Sequence, residues 1–272
     1  MKPTTKFFLP RIILAVSAAA FVGIQWLVGE FPVWFFAMPM NLLVGALWLA
    51  LIWEGYRRRS SFLFVQYLLS AEATYIALAV AAIISVILGL QSEPAAKSWW
   101  VVGGFLYVQT VLTLVLLRGW RNEKGVRWRF LVTHCGLWLA VTSMLLGGAD
   151  KELLRVEVGD TPTREVVNER GKTNYLDYEL RLENFELEKS EEGTPKQFRA
   201  TVAVDEEIVD IEVNSPYSRG YGEDIYLVSY SPKGCVLQIV REPWRVATAT
   251  GIAMLLLGAF MLFLQGFQSR ER

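Results

Sequence analysis

Two patterns of hydrophobic positions share this chain. In six stretches, 12–28, 34–53, 67–90, 99–117, 130–147 and 246–267, apolar residues run almost without a break. Each comes close to the roughly 20 residues that carry a helix across about 30 Å of hydrocarbon. Between the fifth and sixth stretches the pattern changes to strict alternation. Tyr178, Leu180 and Leu182 alternate with Glu179, Arg181 and Glu183; Phe198, Ala200, Val202 and Val204 repeat the pattern, followed by Val209, Ile211 and Val213. Alternation with a period of two belongs to half-buried strands. Turn-forming clusters at 159–162, 191–195 and 214–222 separate these runs. The pattern predicts a polytopic α-helical membrane protein of six transmembrane helices. An all-β extracytoplasmic domain, a small antiparallel sandwich or barrel, lies between helices five and six. The expected division is 1–149 for helices one to five, 150–245 for the β domain, and 246–272 for the sixth helix and a cytoplasmic tail. The first stretch has the basic flank of a signal peptide and small residues at 18–20, but only about six apolar residues would precede a cleavage there, so a retained helix is expected.

Charge adds an orientation. The 272 residues hold 27 Lys or Arg and 27 Asp or Glu, a balance that conceals two opposite parts. Residues 150–245 carry 13 basic against 21 acidic side chains, net −8, and the remainder carries 14 against 6, net +8. Of the 14, Lys2, Lys6 and Arg11 precede span one, and Arg57, Arg58 and Arg59 separate spans two and three. Arg118, Arg121, Lys124, Arg127 and Arg129 separate four and five, Arg270 and Arg272 end the chain, and Lys97 alone falls in the opposite loops. Basic loops remain in the cytoplasm, which predicts both termini there and the acidic segment outside. Trp34, Trp53, Trp99, Trp100, Trp120, Trp128 and Trp244 at the span ends fit an interfacial belt. Topology thus accounts for the basic residues, and no nucleic-acid role is expected. The acidic domain's charge keeps it soluble or attracts a basic partner.

One His and two Cys exclude a Cys/His zinc site of usual spacing and a Cys-x-x-Cys-His haem attachment site. Cys135 lies in an apolar run and Cys235 in a polar region, so both are expected as free thiols. His134 falls roughly 6 Å below the cytoplasmic end of span five. Ionisable groups in a span are costly and often functional. A neutral imidazole there packs against a neighbouring helix, serves a proton path, or ligates a metal such as haem iron. Trp138, at i+4, shares its face and would set an indole beside any ring-shaped ligand of His134. Glu72, near the cytoplasmic end of span three, either snorkels to the interface or pairs with Arg57, Arg58 and Arg59. Gly251 and Gly258, seven apart on span six, mark a face for close helix packing. There is no phosphate loop and no Gly-x-Ser-x-Gly elbow, so no catalytic residue is assigned to this chain alone.

The order of several segments resembles the ResB-like, Ccs-type (System II) cytochrome c biogenesis family. These are the helix from Trp128 through Thr133-His-Cys-Gly-Leu-Trp138 to Met144-Leu-Leu-Gly-Gly148, then Val213-Asn-Ser-Pro216, then Gly220-Tyr-Gly-Glu-Asp-Ile-Tyr-Leu-Val-Ser-Tyr230, and finally Val240-Arg-Glu-Pro243. The similar segments cover about a third of the chain. Five spans before the domain and Glu242 in place of an Asp before Pro243 depart from the family's pattern. The resemblance implies a multi-pass subunit of a bacterial plasma-membrane complex that delivers haem and supports its attachment to c-type apocytochromes. It would be a non-catalytic or co-catalytic member of a cytochrome c haem lyase, working with a tryptophan-rich ResC or CcsA-type partner and an apocytochrome c. It further implies transient haem b, with His134 as an axial ligand of the iron and Trp138 beside it. A second ligand would come from the partner or from Met254 or Met261. Arg118, Arg121, Arg127 and Arg129 either pair with haem propionates or serve topology alone. Two other readings compete: a scaffold whose acidic domain recruits an outside protein while His134 only packs, and a proton-coupled transporter using Glu72 and His134. The transporter leaves the outer domain and the lack of repeated spans unexplained.

Overall fold

The computed structural model describes residues 7–90, 97–123, 125–189, 195–220, 222–231 and 234–270. Lys2, Lys6, Lys124, Arg272, Tyr221 and residues 191–194 of the turn expected at 191–195 lie outside these residues, and Pro195 opens a strand. The chain divides into two compact units, Met1–Ala149 with Ala247–Arg272, and Asp150–Val246.

The first unit is helical: α1 (Phe8–Val28), α2 (Met40–Arg57), the short α3 (Leu63–Leu68), α4 (Ala71–Leu90), α5 (Trp99–Gly119), α6 (Trp128–Asp150) and α7 (Arg245–Arg270). A two-stranded hairpin, β1 (Arg121–Asn122) and β2 (Gly125–Val126), joins α5 to α6. Among the described residues, five helices, α1, α4, α5, α6 and α7, are long and apolar enough to cross a membrane. The stretches expected at 34–53 and 67–90 begin differently from expectation. Residues Val33–Phe36 form a single 3-10 turn, and α2 starts only after Pro39, a residue suited to a helix start because it has no N–H to donate. Further on, the Ser70 hydroxyl accepts from the Ala73 N–H at 3.2 Å, capping a new helix and so separating α3 from α4.

Contacts within this unit fix the helix directions. Arg11 at the start of α1 meets Glu72 at the start of α4, and the Trp99 N–H at the start of α5 donates to Gln25 Oε1 near the end of α1 at 2.8 Å. The Tyr56 hydroxyl at the end of α2 donates to Leu117 O at the end of α5 at 3.1 Å. Trp138 of α6 bonds Thr113 of α5, and Ser143 of α6 bonds Thr248 of α7. The six long helices therefore alternate in direction. Where they touch, glycines admit the neighbour: a Cβ on Gly103 would lie 2.6 Å from Phe21, one on Gly136 2.8 Å from Gly251 O, and one on Gly251 2.6 Å from Ala140 N. Many large apolar side chains of this unit face outward, among them Trp26, Leu27, Leu51 and Leu256. That inverts a water-soluble protein's pattern and suits a hydrocarbon solvent.

The second unit is one antiparallel sheet of eight strands: β3 (Glu152–Val158), β4 (Thr163–Asn168), β5 (Thr173–Lys189), β6 (Pro195–Val204), β7 (Glu207–Glu212), β8 (Tyr217–Ser218), β9 (Glu223–Ser231) and β10 (Gly234–Arg241). Their order in the sheet is β7-β6-β5-β4-β3-β10-β9-β8. The sheet curls until its two ends meet, with the Tyr217 hydroxyl of β8 donating to Glu207 Oε2 of β7 at 2.7 Å. One core fills the inside, built from Tyr178 and Leu180, Ala200, Val202 and Val204, and Val209 and Ile211, the alternating positions of the sequence, together with Leu154, Val156, Ile225, Leu237 and Ile239. Val213, expected to continue that set, falls past the end of β7 and leaves the core, because Glu212, Ser215 and Asn214 (φ +65°) turn the chain there.

Candidate functional site

His134 lies on the second turn of α6, half-buried. Its Nδ1 is 2.9 Å from Phe130 O. A carbonyl only accepts, so Nδ1 carries the proton, and in the neutral ring the lone pair is on Nε2. The imidazole stacks on the Phe130 ring at 3.9 Å and 24°, and the Arg127 guanidinium stands 4.8 Å from the same ring. Phe130 is itself seated against Gly119, whose carbonyl accepts from Arg127 Nη1 at 3.2 Å. An open cleft of about 360 Å³ adjoins this group, lined by Val126, Arg127, Trp128, Arg129, Phe130 and Met261 of α7.

Neighbouring helices leave one side of α6 open near His134. Gly136, Ala140 and Ser143 face α7, and Trp138 and Thr142 face α5. At about 100° per residue His134 falls between the α5-facing side and the outward side that carries Leu137 and Met144. The Trp138 indole is held on the α5 side by a 2.9 Å bond to Thr113 Oγ1, and its carbonyl accepts from Gln109 Nε2 at 3.3 Å. Gln109 also bonds Thr142, and its Oε1, almost wholly buried, has no partner among the described residues. This polar group at the α5–α6 contact was not anticipated; Gln109, Thr110 and Thr113 within one apolar run were the available signal. Met254 sits against Gly136, whereas Met261 reaches the cleft. Cys135, one position from His134, is a free thiol, as is Cys235.

Glu72 pairs with neither Arg57, Arg58 nor Arg59. Arg11 takes it with two bonds, Nε to Oε1 at 2.7 Å and Nη2 to Oε2 at 2.6 Å, while Arg57 and Arg58 pair with Glu54 three and four residues before them. Helix geometry brings i,i+3 and i,i+4 charges together before any interhelical partner can compete.

Within the β unit, charged groups cluster where β9 begins and β10 ends. Arg241 Nε bonds Glu223 Oε2 at 2.5 Å and reaches toward Glu152 and Asp177, Arg245 pairs with Asp224, and Lys151 Nζ meets Glu242 at 2.6 Å. The Trp244 indole donates to Asp150 at 2.6 Å, and Arg219 stands 3.9 Å over the Tyr178 ring. Burial, with Glu223 nearby, pushes the Tyr178 phenol well above its usual range. Gly222 lies beside Glu242, its carbonyl accepting the Glu242 N–H at 2.6 Å; a Cβ there would come within 2.6 Å of Glu242 O.

Residues 122–248 match the ResB-like family. The matched segment runs from the β1–β2 hairpin through α6 and the entire β unit into α7, and so contains His134, Trp138 and the ion pairs of Glu223, Asp224, Arg241 and Arg245. No curated protein matches the chain. Among solved structures, a cytochrome c heme lyase CcmF is similar at 12% identity and a TM-score of 0.40, over 68% of this chain; the chain spans 33% of that structure's length.

Proposed function

We propose that this chain acts in cytochrome c biogenesis, as a subunit of a membrane complex that delivers haem and supports its attachment to c-type apocytochromes. The observation that carries the reading is the extent of the ResB-like match, which takes in both the helix bearing the chain's single histidine and the whole β unit. Haem is here cargo rather than a resident cofactor. The residues fit such a cargo: His134 has its proton fixed on Nδ1 and its Nε2 lone pair uncommitted among the described residues, which is the state an iron ligand requires. The imidazole would supply one axial bond to the iron, and Arg127 and Arg129 in the adjoining cleft would neutralise carboxylate side chains of the porphyrin. Trp138, held by Thr113 and Gln109, would bound the pocket on the α5 side. Because the outward side of α6 is open beside His134, the second iron ligand is assigned to a tryptophan-rich ResC or CcsA-type partner docking there, or to Met261.

The same reading places the helical unit in the plasma membrane with six crossings. Five helices satisfy length and apolarity, and α2, which is shorter and carries Glu54 and Arg57, must still run the full height because it returns the chain from the α1–α5 end at Gln25 and Trp99 to the end where Arg11 meets Glu72. Basic loops put both termini in the cytoplasm and residues 150–245 outside, where the acidic β unit would hold an apocytochrome. The test in cells is the accumulation of c-type cytochromes. His134→Asn is expected to abolish it while the protein still reaches the membrane; normal accumulation would leave His134 a packing residue and the chain a scaffold.

A further inference from the structure

The turn that joins α2 to α4 encloses an open cleft of about 470 Å³, lined by Arg57, Arg59, Ser60, Gln66 and Leu69. Its size falls within the roughly 300–1,000 Å³ of small-molecule sites. The turn is built rather than loose: Gln66 Nε2 donates to Ser60 O at 3.0 Å, and the Ser61 N–H to Arg58 O at 2.9 Å. Charge there is unbalanced. Glu54 alone answers Arg57 and Arg58, bonding the first at 3.0 and 3.2 Å, and Arg59 has no carboxylate partner among the described residues. The Arg59 guanidinium is fixed instead, 4.4 Å over the Tyr56 ring with Nη1 donating to Tyr56 O at 3.0 Å. A guanidinium has five N–H donors in a planar fork, so most of this one still points elsewhere. Arg118 approaches from α5 and donates to the carbonyl of Leu69. Fixed cationic donors, a hydroxyl and an amide around one cleft suit a phosphate group.

We propose that this cleft binds the phosphate of an anionic phospholipid. Two observations favour a lipid over a free anion. The cleft lies where α2 ends, beside the start of α4 and the end of α5, two helices long and apolar enough to cross a membrane, and Trp53 and Phe62 next to it are outward-facing and apolar, so a bound phosphate could keep its acyl chains on the helix surface. Basic pockets between helices on the positive side of a membrane protein are suited to anionic head groups. The bound lipid would bridge α2 and α3 across the charged turn that joins them.

The test is native mass spectrometry of the detergent-purified full chain, titrated with phosphatidylglycerol, phosphatidylcholine or inorganic phosphate. Phosphatidylglycerol is expected to bind with one saturable stoichiometry and phosphatidylcholine to bind weakly. Arg59→Gln should weaken phosphatidylglycerol about fivefold, the effect of one interfacial cation. Arg59→Lys should recover most of that loss, and Arg58→Gln, which does not line the cleft, should change nothing, which separates lost binding from lost folding. Equal binding of the two lipids, or unchanged binding in Arg59→Gln with Arg57→Gln, overturns the proposal. Displacement of phosphatidylglycerol by inorganic phosphate at similar concentration overturns it too, making the cleft a free-anion site.

Discussion

A ring nitrogen 2.9 Å from a carbonyl must carry the proton, and this one bond settles which face of His134 is chemically available. Phe130 contributes twice to the imidazole's placement, through its carbonyl and through the stacked ring, and its side chain also lines the adjoining cleft. Phe130→Ala keeps the carbonyl and loses the stack; it is expected to weaken haem retention about tenfold, the usual cost of removing an outer support of a metal ligand, as read by haem titration. Cys235 provides a prediction outside the membrane. Burial lifts its thiol from an ordinary value of 9.0 to about 11. The folded state therefore holds the thiol proton more tightly than the unfolded state, a stabilisation intact below pH 9 and lost as pH rises toward about 11. Cys235→Ala should flatten that alkaline decline in thermal unfolding, and iodoacetamide at pH 8 should label Cys235 only after denaturation. At this scale the sequence was partly legible. A lone His in an apolar run stands out, whereas the choice of Arg11 for Glu72 depended on two helices 61 residues apart meeting end to end, which no local pattern encodes.

Elements show where pattern suffices and where close approach decides. Continuous apolar runs and two-residue alternation give the helices and most of the sheet directly, since both follow from which sides of an element meet solvent or lipid. The limits of α2, α3 and α4 did not follow, because a proline start and a serine cap override an otherwise unbroken apolar stretch. The contact of α6 with α7 rests on Gly136 and Gly251, each with backbone of the partner helix where a side chain would be. Gly251→Val should force these helices apart and cost about 1–3 kcal/mol, the usual penalty of overpacking, seen as a lower melting temperature in detergent. In the sheet, Gly222 combines φ +87° with the approach to Glu242 O. Gly222→Ala therefore pays left-handed backbone strain of about 1–2 kcal/mol plus displacement of the Glu242 segment, and should destabilise the β unit more than Gly171→Ala, which has a positive φ in open space. The Gly-Tyr-Gly-Glu-Asp and Arg-Glu-Pro segments looked like separate signatures in the sequence. In the fold they are one structure, Gly222 against Glu242 and Glu223 against Arg241.

For the whole molecule, two units of opposite charge and opposite burial pattern are threaded through each other in sequence, the β unit being an insertion between α6 and α7. In the proposed topology both termini lie in the cytoplasm and residues 150–245 outside. Single cysteines in a Cys135→Ser, Cys235→Ser background should report this: one at exposed Glu165 should react with a membrane-impermeant maleimide in intact cells, and one at Arg59 only after permeabilisation. Labelling at Arg59 in intact cells would reverse the assigned orientation. The central claim, that the helical unit presents His134 to haem iron, is tested most directly by the absorption spectrum of the detergent-purified protein with its membrane partner. A Soret band that is lost in His134→Ala, and regained when free imidazole is added, is the predicted result. A band unaltered by His134→Ala, or no band in the wild-type complex under any haem supply, would contradict it.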